Sequence, residues 1–260
     1  MVEEKTFDAD RFSKGTQFCS KFRGVVLPDD GGMSLNDLNL RSLYKNGFRV
    51  LSSWNHPRGD GKQLFSYLLQ ESHKFMVYDP KKGKLFDATY SCSPEKTGEK
   101  TFEELKKEIK TEPYFVEKTH PLVSKAKVSP EQFFKSVAEA FEKLKLSKDR
   151  DHYISCVFFD IPQKKMGEES WEAILTKALR AATIKPITET VHVFPGQGYT
   201  YMHQSNIFLA LHSYPELESV HMSIFGTVDE IMPVLAEVES KIYSKSRTPL
   251  ITVSRDAWVR

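Results

Sequence analysis

From residue 47 onwards, the chain carries short apolar runs at close spacing: "GFRVLSSW", "QLFSYLLQ", "HKFMVYD" and "KLFDATYSC". Runs of this length, separated by turn-forming residues, predict β-strands joined by hairpins. A strand-like "FCSKFRGVV" and a helix-like "SLNDLNLRSLYKN" stand ahead of them, and the helical pattern "TFEELKKEIK" follows. The order then recurs. "HYISCVFFDI" is followed by the helix "ESWEAILTKALRAAT", the strands "TETVHVF", "YTYMHQS", "NIFLALHSY" and "ESVHMSIFG", and the helix "TVDEIMPVLAEVESKIY". Thr101-x-x-Glu104 and Thr227-x-x-Glu230 read as capping boxes that open the two closing helices. Between the copies, "SPEQFFKSVAEAFEKLK" predicts a further helix. Ser129 is its N-cap, Pro130 its first residue, and Phe133, Phe134, Val137 and Phe141 its apolar face.

The expected fold class is therefore α+β, built from a duplicated strand–helix–strands–helix unit. Two half-buried sheets, each with helices on one face, stack into a four-layer α/β/β/α sandwich with a cleft along or at the edge of the inner sheets. The expected boundaries are 12–110 for the first repeat, 111–148 for a connecting segment with its helix, and 149–250 for the second repeat, together one compact domain. Two unrelated α+β domains are the alternative that the pattern leaves open.

Composition narrows the function classes. A net charge of +2 over 260 residues gives no basic stripe, so nucleic acid is not an expected partner. No apolar run reaches membrane-spanning length, and the polar opening "MVEEKTFDAD" resembles neither a signal nor a transit peptide. Cys19, Cys92 and Cys156 are an odd number with no metal-ligand spacing, which predicts thiols in a reducing, cytoplasmic setting and no metal. His56, His120, His152 and the "RGD" at 58–60 read as surface residues.

Glu71-Ser72-His73 places an acid, a hydroxyl and an imidazole side by side at the head of an apolar run. That is either a polar loop entering a strand or a serine placed for chemistry. Cys92 follows twenty residues later, and a hairpin would set Ser72 and Cys92 on neighbouring strands. At the matching place the second copy has Asn206-Ile207, and it offers Thr200, His212 and Glu216 instead, as if the copies had divided the polar work. Singly, each residue has a plain structural reading: Cys92 as a small buried hydrophobe, His212 and Thr200 as strand residues, Glu216 as a turn residue, Phe194 as a core aromatic.

As a set they resemble the S-adenosylmethionine decarboxylase family, the pyruvoyl enzymes of polyamine synthesis. Glu71-Ser72-His73, Pro80 and Ser91-Cys92 follow the layout of its short microbial members. "FDIPQ" (159–163), "VFPGQGYT" (193–200) and "LALHSYPELESVHMSIFGT" (209–227) resemble motifs in the second copy of its duplicated eukaryotic members. Phe12 to Gln17 resembles their opening, and the likeness covers most of residues 12–245.

The resemblance implies a self-made cofactor. Ser72 attacks the carbonyl carbon of Glu71 to give an ester, and β-elimination then cuts the chain into pieces of 71 and 189 residues. The serine remnant becomes a pyruvoyl group, which forms a Schiff base with the substrate amine and draws off the electrons left when CO2 departs. By the same resemblance Cys92 is the proton donor in decarboxylation and His212 the base in self-processing, with Thr200 in place of an assisting serine. Glu216 accepts the ribose hydroxyls of S-adenosylmethionine, the backbone of Glu71 contacts the adenine edge, and Phe194 is one of two rings that sandwich it.

Departures from the family pattern are specific. Ser13 stands where the second ring belongs, with Phe12 beside it as a substitute, and Lys14 replaces a glutamate. Of the acids that bind activating putrescine only Asp160 is present; Gln17, Gln163 and Phe225 stand at the other places, so putrescine activation is not expected. The alternatives are a pyruvoyl decarboxylase of arginine or ornithine, or a catalytically silent regulatory subunit. The expected assembly is a monomer, a homodimer or a heterodimer with a paralogue.

Overall fold

The computed structural model describes residues 16–27, 34–70, 72–91, 98–119, 129–143, 151–159, 161, 171–184, 188–194, 198–215, 218–242 and 246–250. The chain divides into two compact units, within residues 14–121 and 122–255.

In the first unit the elements are β1 (Thr16–Phe22), α1 (Leu35–Lys45), β2 (Val50–Pro57), β3 (Gln63–Leu69), β4 (Ser72–Asp79), β5 (Lys84–Ser91), α2 (Gly98–Ile109) and β6 (Pro113–Thr119). The strands form one antiparallel sheet in the order β2-β3-β4-β5-β1-β6. The second unit holds α3 (Pro130–Lys143), β7 (His152–Phe159), α4 (Trp171–Ala181), β8 (Thr188–Phe194), β9 (Gly198–Gln204), β10 (Phe208–Tyr214), β11 (Ser219–Gly226), α5 (Val228–Ile242) and β12 (Ser246–Leu250). Its sheet runs β12-β7-β11-β10-β9-β8, which is the same order read from the opposite edge. Corresponding strands occupy corresponding places, so the duplication read from the sequence extends to the topology.

Each sheet buries one face under its own helices. In the first unit Phe18, Phe22, Phe65, Tyr67, Leu69, Met76 and Leu85 pack against Leu35 and Leu43 of α1 and Phe102, Leu105 and Ile109 of α2. In the second, Ile154, Cys156, Phe158, Leu209, Leu211, Met222 and Ile224 pack against Trp171, Leu175 and Leu179 of α4 and Ile231, Leu235 and Val238 of α5. The helix-facing residues recur at every second position, as the strand period requires, while the central strands β3, β4, β10 and β11 are buried on both faces. Each unit is thus a sheet with helices on one face.

The helix caps follow the sequence in two places and depart from it in one. Ser129 and Gln132 cap α3 reciprocally: the Ser129 N–H donates to Gln132 Oε1 at 3.1 Å and the Gln132 N–H to Ser129 Oγ at 3.2 Å. At the head of α5, the N–H and hydroxyl of Thr227 both donate to Glu230 Oε2, at 2.9 and 2.8 Å. The expected cap at Thr101 is corrected. Helix α2 is already under way at Gly98, and Thr101 lies inside it, buried, its hydroxyl donating to the Gly98 carbonyl at 2.9 Å. A hydroxyl that donates back to a preceding carbonyl belongs to a helix interior, whereas a cap oxygen accepts from a later N–H.

Three further differences concern placement. Residues 113–119, expected in the connecting segment, form β6, an edge strand on β1. Its Pro113 and its charges suit an edge, where one side of the backbone needs no partner. His152, read as a surface residue, is fully buried at the head of β7, opposite Gly226, which has no side chain to compete for the space. His56 is half-buried on edge strand β2, and the "RGD" forms the β2–β3 turn, where the Arg58 carbonyl accepts from the Gly61 N–H and Asp60 pairs with Lys62. His120 lies outside the described residues.

Candidate functional site

Ser72 is the first residue of β4, buried, and sits directly opposite Ser91, the last residue of β5. The hairpin inferred from the sequence is therefore present as far as Ser91, one residue before Cys92. Leu69 and Thr16 complete the row across the sheet, and Leu69 belongs to the helix-covered core, so Ser72 is on the helix-facing side. His73 takes the opposite face, its ring stacked on Tyr90 with centroids 5.7 Å apart. Glu71, Cys92, Glu216, Phe12, Ser13, Lys14, Asp160 and Gln163 lie outside the described residues; Phe194 is placed as the last residue of β8, without a description of its ring.

In the second unit one row crosses four strands as His192, Thr200, His212 and His221. Thr200, His212 and His221 are buried, on the face turned away from α4 and α5. Two residues selected from the sequence by separate motifs, Thr200 and His212, are thus direct cross-strand neighbours. The start of β9 is fixed by a close backbone approach. Gly198 has φ +138°, and a Cβ there would lie 2.3 Å from the Ser213 carbonyl oxygen, so only glycine fits. The Tyr199 N–H then donates to Ser213 Oγ at 2.8 Å, which ties β9 to β10 beside the Thr200–His212 pair.

Burial sets the protonation of this row. It pushes His212 down to about 3. It drives His221 well below the usual histidine range, and neighbouring His212 adds to the effect. On the helix-facing side, burial lowers His203 to about 4 against the opposing pull of the Glu189 carboxylate, 3.7 Å from Nδ1. All three imidazoles are neutral at pH 7. Among the described residues, no group of three or more His, Cys, Asp or Glu is placed to hold a metal ion.

An acid sensitivity follows. Each of these histidines binds a proton in the unfolded chain near pH 6.5 but only at much lower pH in the fold. Below about pH 6.5 the unfolded state therefore holds more protons, and stability falls as pH falls. The loss is on the order of 1 kcal/mol per histidine for each pH unit. Urea unfolding of the full chain at pH 7.5, 6.5 and 5.5 is expected to give steadily lower midpoints below 6.5. A flat profile would mean that these histidines protonate in the folded state.

Four site features were not anticipated from the sequence: the buried Lys74–Asp87 ion pair of the first sheet, and Tyr153, Ser155 and Ser223, which join His221 in a hydrogen-bonded chain in the second. The available signal was polar residues at alternate positions of otherwise apolar strands, as in "HYISCVFF" and "SVHMSIFG".

Comparison with known proteins gives limited likeness. No family model matches the chain, and no curated protein does. Among solved structures, the crystal structure of an adenosylmethionine decarboxylase from Aquifex aeolicus is similar at 15% identity and a TM-score of 0.40, over 44% of this chain and 96% of that one. A protein of unknown function from Galdieria sulphuraria is similar at 12% identity and a TM-score of 0.21, over 93% of this chain and 99% of that one. Among the described residues no helix is long and apolar enough to cross a membrane.

Proposed function

We propose that the chain is a self-cleaving, pyruvoyl-dependent decarboxylase of S-adenosylmethionine that supplies the aminopropyl donor for spermidine and spermine synthesis. The observation that carries this reading is the pairing of Thr200 with His212. Both were singled out from the sequence, and they are opposite one another on β9 and β10, buried and on one face. A neutral imidazole beside a hydroxyl can accept and return a proton, as the base in self-processing must. In the first unit the fit of the prosthetic group rests on Ser72. It opens β4, so the bond to be cut falls at the start of the strand and not within it.

In this reading the Ser72 hydroxyl attacks the Glu71 carbonyl carbon and the amide C–N bond breaks to give the ester. His212, assisted by Thr200, then takes the Cα proton, whose loss expels the Glu71 carboxylate and leaves a dehydroalanine. Its imine form takes up water and releases ammonia to leave the pyruvoyl ketone. Once formed, the pyruvoyl group supplies the electron sink for decarboxylation. Cys92 returns the proton, while Glu216, Phe194, Phe12 and the Glu71 backbone bind the nucleoside.

The test is the intact mass of the purified chain under denaturing conditions. Pieces of 71 and 189 residues are expected, the larger with a blocked N-terminus and a mass fitting pyruvoyl in place of serine. One full-length species would overturn self-cleavage and favour a silent subunit. His212→Ala is expected to slow the appearance of the pieces by about 10²–10⁴-fold, the usual worth of a general base. Release of CO2 from arginine or ornithine, and not from S-adenosylmethionine, would keep the chemistry and replace the substrate.

A further inference from the structure

Strand β8 is an edge strand of the second sheet among the described residues, paired with β9. On the helix-facing side it presents Glu189, Val191 and Val193, opposite His203, Tyr201 and Tyr199 of β9. Val191 and Val193 remain 37% and 60% exposed, so they gain little from one register over another. Glu189 differs. Its Oε1 accepts from the Tyr201 hydroxyl at 2.7 Å and lies 3.7 Å from His203 Nδ1, and His203 Nε2 is 3.0 Å from Ser205 Oγ. Tyr201, His203 and Ser205 are buried. One carboxylate from the edge strand thus completes a polar network at the border of the helix-covered core, to which Tyr201 belongs.

We infer that Glu189 pins the register of β8 on β9 and is thereby a positioning residue for Phe194, an assignment that rests on the proposed role of Phe194 in nucleoside binding. A backbone ladder can form in any register, so side chains must choose between them. A slip of one residue would turn Glu189 to the opposite face. A slip of two would carry it about 7 Å along the strand, beyond reach of the Tyr201 hydroxyl. Either slip leaves that hydroxyl buried without its acceptor, a cost that the native register avoids. Phe194, the last residue of β8, is opposite Gly198, and Gly198 is held by its close approach to the Ser213 carbonyl. The register of β8 therefore decides where residue 194 stands relative to the Thr200–His212 pair, which β9 and β10 carry. Glu189 acts through the strand and not on the substrate.

Register and substrate affinity are tested together on the full chain. In magnetic resonance spectra with labelled valine methyls, Val191 is expected to contact the Tyr201 ring and Val193 the Tyr199 ring. Glu189→Ala is expected to weaken or move these contacts. Glu189→Gln, which keeps an acceptor oxygen for Tyr201, is expected to preserve them. With S-adenosylmethionine as substrate, Glu189→Ala is expected to raise KM about tenfold while kcat stays within about twofold, the mark of lost binding and not of lost chemistry. Tenfold is near the lower end of what an aromatic ring stacked on a base is worth. Glu189→Gln is expected to keep KM within about twofold of native. Cleavage before Ser72 is expected at the native rate in both variants, because Thr200 and His212 pair through β9 and β10, and native cleavage also shows that each variant has folded. Unchanged valine contacts or an unchanged KM in Glu189→Ala overturns the inference, as does a fall in kcat at native KM. A native chain that neither cleaves nor decarboxylates S-adenosylmethionine overturns the proposed function and the role for Phe194, and the valine contacts alone then decide whether Glu189 pins the register.

Discussion

Ser72→Ala is expected to leave the chain as a single piece of 260 residues and to abolish the release of CO2 from S-adenosylmethionine. Both losses follow from one oxygen atom. Without it nothing attacks the Glu71 carbonyl, no ester forms, and the residue that would have become the ketone stays an alanine. The fold is expected to survive. Ser72 is 2% exposed at the head of β4, alanine is smaller, and the loss of one strand-end hydroxyl costs about 1 kcal/mol. Ser66→Ala is the matched control, an equally buried serine on neighbouring β3, and it is expected to cleave normally. Two pieces from the Ser72→Ala chain would show that the cut is made by something other than the serine, such as a protease acting near the start of β4.

The strands were legible because a central strand buried on both faces reads as a short apolar run bounded by polar and turn-forming residues. "HKFMVYD" and "NIFLALHSY" announce β4 and β10 without help from any other part of the chain. Strand β6 was not legible, because "PYFVEKT" is an edge strand among the described residues and can carry a proline and charges that a central strand excludes. The head of α2 was misread because Thr-x-x-Glu has the same spelling at a cap and inside a helix, and only the hydroxyl's donation back to the Gly98 carbonyl marks Thr101 as interior.

Site residues divide in the same way. Ser72 and His212 were found by their order within motifs, and the structure places Thr200 directly across from His212. The hydroxyl chain leading to His221 stayed hidden because Tyr153 and Ser223 are 70 residues apart in sequence, and only the register of β7 on β11 brings them together. His152 was misjudged for a related reason. A histidine between two charged residues and a strand reads as exposed until its opposite number is known to be glycine.

Lys74→Met is expected to destabilise the first unit by about 3–5 kcal/mol, the cost of leaving a buried charge without its partner. Lys74 Nζ lies 2.8 Å from Asp87 Oδ1 and 2.9 Å from Oδ2, and both side chains are closed to solvent under the helices of that unit. Burial pushes the Asp87 carboxyl up, and the Lys74 ammonium is what opposes it. Without that ammonium the carboxylate must either stay charged in an apolar surround or take up a proton, and both cost stability. Lys74→Met combined with Asp87→Leu removes both charges and is expected to regain most of the loss in urea unfolding, since apolar replacements for a buried pair are often neutral or better. What the double variant does not replace is the specificity of the pairing. Lys74 and Ser72 share a face of β4, and Asp87, opposite Met76 on β5, is diagonal to Lys74, so a slip of one residue that moved Ser72 off Ser91 would also part the ion pair. A slip of one residue would turn Ser72 to the other face. The double variant is therefore expected to be stable yet to cleave before Ser72 more slowly than the native chain. If it matched the native chain in both stability and cleavage, apolar packing alone would hold the register. If Lys74→Met cost less than about 1 kcal/mol, Asp87 would not be carrying a buried charge at all.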